Sequence, residues 1–417
     1  MTRRPPAVDE TPAQAEISRL IEKYRLQTVT WLRELVALDS EAPRERASQE
    51  LLVEISRSVG LDASLIPADP DGALTFHPNF VKTGMSYEDR PNCVVTIPGG
   101  AGPALLCNAH IDTVAVGEGW TRNPYGELDG NRLYGRGTCD TKASLAAALL
   151  AALCLHQLAD GRSAALEIHS VVDEEPGGNG TLALLRALTG EAVERPKLAV
   201  IMEPTKLDLL TGHRGMLWYG LTCIGKQAHG STALGINAIE QAADVVHSLR
   251  ALNQRFSTWA ADAYDPPRLN VGVVHGGHEV YTTPGLCELE VSVRYAPGQR
   301  DAVAKAFLDA VHSALPADLV EMRFCQDFEA SESARDSAEV VTALAALRRR
   351  RPNAQVSTLG GTCDMRHYRN EWGIPSVVFG PGDLAVAHAP DEFVDLNEMF
   401  VAARVLAELA LDLGTTA

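Results

Sequence analysis

Apolar and polar positions follow two rhythms along the chain. Between 12 and 38, Ile17, Leu20, Ile21, Tyr24, Val29, Leu32, Leu35 and Val36 recur at three- and four-residue steps. That spacing lines one face of a helix. From 104 onward, short apolar runs alternate with longer helical patterns. ALLCNAHID reads as a buried strand. ASLAAALLAALCLHQL (143–158) reads as a helix, apolar nearly all round and therefore buried. LEIHSVV predicts a strand, GGNGTLALLRAL a turn and helix, and KLAVIME another strand. Strand and helix in alternation predict an α/β layer with a mostly parallel or mixed sheet. The Pro/Gly/Asp-rich stretch 67–102, ending at PGGAGP, predicts loop with short strands.

Near 214 the texture changes. MLWYGLTCIG, a helix at about 235–254, LNVGVVHGG, CELEVSVRYAP, a helix at about 299–314 and LVEMRFC give a β-α-β-β-α-β order. This α+β unit resembles the split ferredoxin-like pattern. The α/β texture then resumes with a helix at 336–350, the strand PSVVFG and a helix at 396–413. The expectation is an α/β catalytic domain with a mixed central sheet (1–213 and 329–417), interrupted by an inserted α+β domain (214–328).

A length of 417 residues suits two or three domains and a sizeable core. The 37 basic against 54 acidic residues leave a net charge of −17, which repels phosphate backbones and anionic lipid. Neither nucleic acid nor membrane is therefore expected as a partner. The eight cysteines show no C-x-x-C and no regular spacing, which fits a reducing compartment. No run of 18 apolar residues and no apolar stretch behind MTRRPPAVDE is found. A cytoplasmic protein is expected.

The acids and histidines at strand ends change the picture most. His110 and Asp112 follow ALLCNA; Asp140 follows GRGTC; Asp173, Glu174 and Glu175 follow LEIHSVV; Glu203 follows KLAVIM; His388 lies in a loop after PSVVFGPGD. Ligands of open α/β sheets gather outside the carboxyl ends of strands. Carboxylates crowded there repel one another, and few Lys or Arg lie nearby to offset them. Two divalent ions would balance three carboxylates and a hydroxide, with neutral imidazoles completing the set. Imidazole and carboxylate suit zinc and also admit cobalt or manganese.

HID (110–112), GRGTCDTK (135–142), DEEPGGNG (173–180), EPT (203–205) and GKQAHGS (225–231) together resemble the dinuclear metallohydrolases related to acetylornithine deacetylase and succinyl-diaminopimelate desuccinylase. Aminoacylase and glutamate-releasing carboxypeptidases belong to the same wider family. The resemblance implies that His110 and Glu203 hold one ion, Glu175 and His388 the other, and that Asp140 bridges the pair, roughly 3.5 Å apart. It implies that Asp112 hydrogen-bonds the outer nitrogen of His110. Glu174 would be the general base that moves a proton from water to the leaving nitrogen. The inserted domain would be a lid and dimerisation domain of a homodimer. There His229 would stabilise an oxyanion, Asn270 and Arg294 would bind substrate, and the loop carrying Gly361 and Thr362 would contact it. The implied activity is cleavage of the amide of an N-acyl amino acid or related small N-acyl amine. Dipeptidase, carboxypeptidase, deformylase or aryl-amine aminohydrolase activity on the same site, or a metal-free binding protein, are the alternatives.

Plainer readings stand beside these. Glu174 and Glu175 could be solvated loop acids, and Arg294 could pair with Glu288 or Glu290. His367 rivals His388 as a ligand. His275 and His278 read as a turn, Cys139 and Cys363 as packing residues, and Arg348 to Arg351 as a solvated helix-end cap. Thr141 stands where the resembling enzymes often have methionine, and Cys363 where they often have serine.

Overall fold

The computed structural model describes residues 10–69, 71–98, 104–158, 166–189, 195–259 and 263–415. The start of the chain, read as lacking a signal peptide, lies outside the described residues, as does most of PGGAGP. The chain forms two compact units. The first comprises Met1–Gly212, Ser333–Ser357 and Cys363–Ala417; the second comprises His213–Glu332 and Thr358–Thr362. The second unit thus runs past Phe328 and includes Thr358–Thr362, which the sequence pattern assigns to the first. Hydrogen bonds explain the difference. Arg214 N–H donates to the Leu359 carbonyl (3.3 Å), Arg214 Nε to the Gly360 carbonyl (3.0 Å), and Thr358 Oγ1 to the Ala263 carbonyl (2.7 Å).

The first unit is α/β with a mixed central sheet. Six of its strands lie side by side in the order Asp62–Pro67, Pro91–Thr96, Leu166–Val171, Leu105–His110, Leu198–Ile201, Ser376–Val378. Leu105–His110 runs parallel to both Leu166–Val171 and Leu198–Ile201, and Ser376–Val378 runs parallel to Leu198–Ile201. Pro91–Thr96 runs antiparallel to both of its neighbours, Asp62–Pro67 and Leu166–Val171. The parallel strands therefore end on one edge, where the loops after them meet.

The helix Pro12–Ala37 starts at a capping box, Thr11 with Gln14, and has proline in its first turn. Its buried Ile17, Leu20, Leu32 and Leu35 share a core with Ala143–His156 and Leu396–Thr415. Segment 138–156 is long and apolar enough to span a membrane, yet it is wholly buried in this core. The helix Arg46–Ser58 is not evident from periodicity, because polar Ser48, Gln49 and Ser56 share its buried face with Leu52, Val53 and Ile55. The arginine cluster also differs from a solvated cap. Arg349 (3.2 Å), Arg350 Nε (2.9 Å) and Arg404 (3.1 Å) converge on the buried carboxylate of Glu408.

The second unit is a four-stranded antiparallel sheet in the order Arg268–Gly276, Leu286–Tyr295, Gly215–Ile224, Val320–Phe328. Helices Ala238–Phe256 and Arg300–Ala314 pack on it. This is the split βαββαβ arrangement. Asn237 accepts the Ile239 N–H at 3.0 Å, and this cap sets the first helix to start at Ala238 rather than near 235. Tyr219 stacks on Phe307 within the core of this unit, with ring centroids 4.4 Å apart.

Candidate metal centre

The ligand candidates of the first unit converge at the edge where its parallel strands end. His110 is the last residue of its strand and opposite Val171, so the β-ladder places it beside the turn that carries Glu174 and Glu175. His110 Nε2 lies 3.0 Å from Asp140 Oδ1. His388 Nε2 lies 3.2 Å from Asp140 Oδ2 and 2.9 Å from Glu175 Oε1. Ligand atoms of His110, Asp140 and Glu175 all fall within 4.8 Å of one another. Asp140 thus stands between two imidazoles.

Local structure explains each position. Asp140 sits in an irregular turn, Thr138–Lys142, entered through Gly137 at φ 80°. The Asp140–Thr141 peptide is cis. Thr141 Oγ1 donates to the His110 carbonyl at 2.8 Å, joining this turn to the His110 strand. A methionine at 141 could not make that bond. Asp173 has φ 61° and starts the turn that presents Glu174 and Glu175. It does not join the metal candidates. Instead its buried carboxylate accepts from Arg90 (2.8 Å), Tyr87 (2.5 Å) and Asn179 (3.0 Å).

Asp112 acts differently from the expectation. His110 Nδ1 is closer to the Asp112 backbone oxygen (2.9 Å) than to its carboxylate (3.6 Å). The carboxylate accepts the N–H groups of Glu174 (3.2 Å) and Glu175 (3.1 Å). It therefore ties the glutamate turn to the His110 segment.

Electrostatics describe a crowd of acids with little to balance it. Burial alone would raise the Asp140 carboxyl, but the imidazoles of His110 and His388 hold it below the ordinary range. Burial opposes charge on His110, yet Asp140, and then Asp112, raise its imidazole well above the usual value. Hydrogen bonds to Asp140 and Glu175 push His388 up to about 10. Burial, followed by Asp140, pushes Glu203 up to about 8. Burial, followed by Glu203 and Asp364, lifts Glu174 well above the carboxylate range. Glu203 is thus within electrostatic reach of Asp140 and His110, although it is outside the tightest group. A cation among these groups would relieve the repulsion that raises the acids.

The donor set fits a divalent metal ion of the zinc, cobalt or manganese type: imidazole nitrogen and carboxylate oxygen. The thiols take no part. Cys139 Sγ donates to the Asp383 carbonyl at 3.4 Å, and burial raises the Cys363 thiol well above its usual value. His367 is engaged elsewhere, with Nδ1 3.0 Å from Glu371 and Nε2 accepting from Arg366 at 3.1 Å.

Two acids of the neighbourhood escape the sequence reading. Asp364 is buried beside the site and accepts from Thr181 at 2.5 Å. Its segment GGTCDMR was read for its glycines and Thr362, and the acid gave no separate signal. Glu392, within AHAPDEF, is also buried and faces the Asp140 turn. Its place so soon after His388 was the available clue.

The remaining candidates belong to the second unit. His229 is exposed and its Nδ1 accepts from Ser231 N (3.2 Å). Asn270 is exposed on the strand Arg268–Gly276. Arg294 does not pair with Glu288 or Glu290. Glu290 takes Arg323 at 3.2 Å, while Arg294 Nη1 has no hydrogen-bond partner among the described residues. Burial, with Arg214 nearby, lowers the Arg294 pKa. Gly361 and Thr362 lie on the returning segment of this unit. His275 lies within the strand Arg268–Gly276, paired with Glu288, so of the two histidines read as a turn only His278, after Gly277 at φ 76°, lies in the bend.

Known proteins resemble this chain in sequence and fold. The sequence pattern of peptidase family M20/M25/M40 matches residues 106–412. An acetylornithine deacetylase of Myxococcus xanthus is 33% identical over 326 residues, 75% of this chain and 82% of that protein. A probable carboxypeptidase of Aspergillus niger is 30% identical over 326 residues, 75% of this chain and 74% of that protein. A tripeptidase of Staphylococcus aureus has a similar fold, with a TM-score of 0.72 at 22% identity over 93% of this chain and 98% of that one. The matched span contains every ligand candidate gathered at the sheet edge, and the chain belongs to peptidase family M20/M25/M40 as a metal-dependent hydrolase.

Proposed function

We propose that the protein is a dinuclear zinc amidohydrolase that removes the acyl group from an N-acyl amino acid or a related small N-acyl amine, as an acetylornithine deacetylase does. The observation that carries this reading is the convergence of His110, Asp140 and Glu175, with His388 bridging the last two. His110 and Glu203 would hold one ion, Glu175 and His388 the other, with Asp140 between them; cobalt or manganese could replace zinc. Bound ions supply Lewis acidity, polarising the scissile carbonyl and lowering the pKa of water.

The side chains do the rest. Glu174, next to a ligand but free of the tight group, takes a proton from the attacking water and delivers it to the departing nitrogen. Asp112 holds Glu174 and Glu175 by their backbone N–H groups, so that the proton carrier and the ligand keep their separate directions. His229 would donate to the developing oxyanion. Asn270, Arg294, Gly361 and Thr362 would contact substrate, Arg294 through a carboxylate. These assignments, and a homodimer formed through the second unit, rest on the family resemblance. A cytoplasmic location is proposed from the eight free cysteines, which suit a reducing compartment. A second reading, carboxypeptidase activity on the same centre, is favoured by the Aspergillus niger relative.

The test is a substrate panel on metal-free protein reloaded with zinc or cobalt. N-acetylornithine and other N-acetyl amino acids, dipeptides and peptides with C-terminal glutamate are scored by free amine released. Metal-dependent release from the acetyl amino acids supports the deacylase. Release from peptides alone moves the conclusion to the second reading. Neither bound metal nor hydrolysis of any of them overturns both.

A further inference from the structure

We propose that Glu392 is a positioning residue of the metal centre, one buried carboxylate that fixes the Asp140 turn against the His388 loop. The proposal rests on the metal-dependent reading above. Both oxygens of Glu392 are used. Oε1 accepts the N–H groups of Cys139 (2.9 Å) and Asp140 (3.2 Å). Oε2 accepts Gly137 N–H (3.1 Å) and Arg136 Nη1 (2.6 Å). The side chain is fully buried, and its ion pair with Arg136 is nearly so. Its backbone is tied to the same segment, since Gly135 N–H donates to the Glu392 carbonyl at 2.9 Å and Phe393 pairs with Tyr134.

The geometry matters because, apart from the 3.2 Å contact of their own side chains, little else joins the two ligands. Asp140 and His388 come from distant parts of the chain. Asp140 lies in an irregular turn whose N–H groups have no ladder to bind. His388 lies in a loop, at φ 61°, with its side chain half exposed. Glu392 follows His388 closely and satisfies three N–H groups of the Asp140 turn at once. Those donors would otherwise be buried without partners. The carboxylate therefore sets where Asp140 and His388 stand relative to one another, although it touches neither side chain. Partners that orient metal ligands typically change metal affinity by about 10–100-fold when replaced.

The test compares Glu392→Gln with Glu408→Gln in the full chain. Both replace a buried, arginine-bound carboxylate by its amide, but among the described residues the Glu408 carboxylate holds only Arg349, Arg350 and Arg404. Zinc affinity of metal-free protein is measured by competition with a chromophoric chelator, beside kcat, KM and the melting temperature. Glu392→Gln should bind zinc about 10–100-fold more weakly. It should lose kcat more than KM, and recover turnover in excess zinc. Glu408→Gln should lose melting temperature and keep parental zinc affinity. If Glu392→Gln yields no folded protein, Glu392→Asp serves. It keeps the charge beside Arg136 but draws back from the N–H groups of Cys139 and Asp140, and the same weakening is expected. Parental zinc affinity in the folded Glu392 variant overturns the proposal while leaving the metal-dependent reading intact. A parent protein that takes up no zinc overturns that reading, and this proposal with it.

Discussion

His110 and His388 supply the same chemical group to the same aspartate, yet they are held in opposite ways. His110 closes a strand with a parallel neighbour on each side, and it is buried. Backbone hydrogen bonds repeat along that ladder, so its position does not depend on any single side chain. His388 is half exposed and sits in a loop with a left-handed backbone. Its segment is fastened by side chains: Asp391 accepts Thr121 N–H (2.8 Å) and Arg122 N–H (2.9 Å), and Glu392 accepts from the Asp140 turn. One half of the site is therefore set by the sheet and the other by a few carboxylates. The contrast predicts that replacing a bolt should be costly on the loop side and tolerable on the ladder side.

The largest expected effect concerns the turn between the two halves. Glu175 faces His388, whereas Glu174 is raised by burial, then by Glu203 and Asp364, and stays outside the tight group. Glu174→Gln should lower kcat by about 10²–10⁴-fold, the usual contribution of a positioned acid–base group. Zinc content, read by metal analysis, should be unchanged. Loss of zinc along with turnover would make Glu174 a ligand and blur the division between the two adjacent acids.

Asp112→Asn comes next. The amide can accept one of the two N–H bonds that the carboxylate now takes from Glu174 and Glu175, and its own N–H₂ meets the other donor. Activity should fall by about 10-fold, the low end for partners that orient ligands, with zinc affinity near the parental value. A larger effect on zinc affinity than that of Glu392→Gln would reverse the contrast, because Asp112 belongs to the ladder side.

The same contrast explains what the sequence discloses. Strands and helices at 105–110, 143–156 and 198–201 follow from apolar runs, since burial in a ladder or a core selects residue type. His110, Asp140 and Glu175 are legible because five motifs lie in order at strand or loop boundaries, and His388 because of its late loop after PSVVFGPGD. Arg46–Ser58 is not, because polar side chains share its buried face. Glu392, Asp364 and the Arg90–Asp173 pair are also hidden. Each is a charge buried by partners far away in sequence, and no local pattern distinguishes such a residue from a solvated one. The Asp112 contact differs from the expectation for a related reason: two-residue spacing from His110 says that it is near, not which of its oxygens faces the ring.

Removing each imidazole in turn sharpens the comparison in the metal-free protein. His110→Ala leaves the buried Asp140 carboxylate without its 3.0 Å partner. A buried group stripped of its partner costs about 1–3 kcal/mol. His388 is half exposed, and solvent screens its pairs with Asp140 and Glu175. His388→Ala should change metal-free stability by no more than about 0.5 kcal/mol. Denaturant unfolding of both variants measures the difference, and zinc binding should weaken in both. Equal destabilisation would show that the loop histidine is as deeply embedded as the strand histidine.

The smallest effect tests whether the ladder side has support to spare. Thr141 Oγ1 donates to the His110 carbonyl and so joins the His110 strand to the Asp140 turn, beside the direct His110–Asp140 side-chain contact. Thr141→Val keeps the shape and removes the donor. Stability should fall by about 0.5–1.5 kcal/mol, the net worth of one hydrogen bond. Zinc affinity should stay at the parental value, because the neighbouring strands still position His110. A loss of zinc affinity matching that of Glu392→Gln would mean that the strand end itself needs a bolt. The two halves of the site would then be held by the same means.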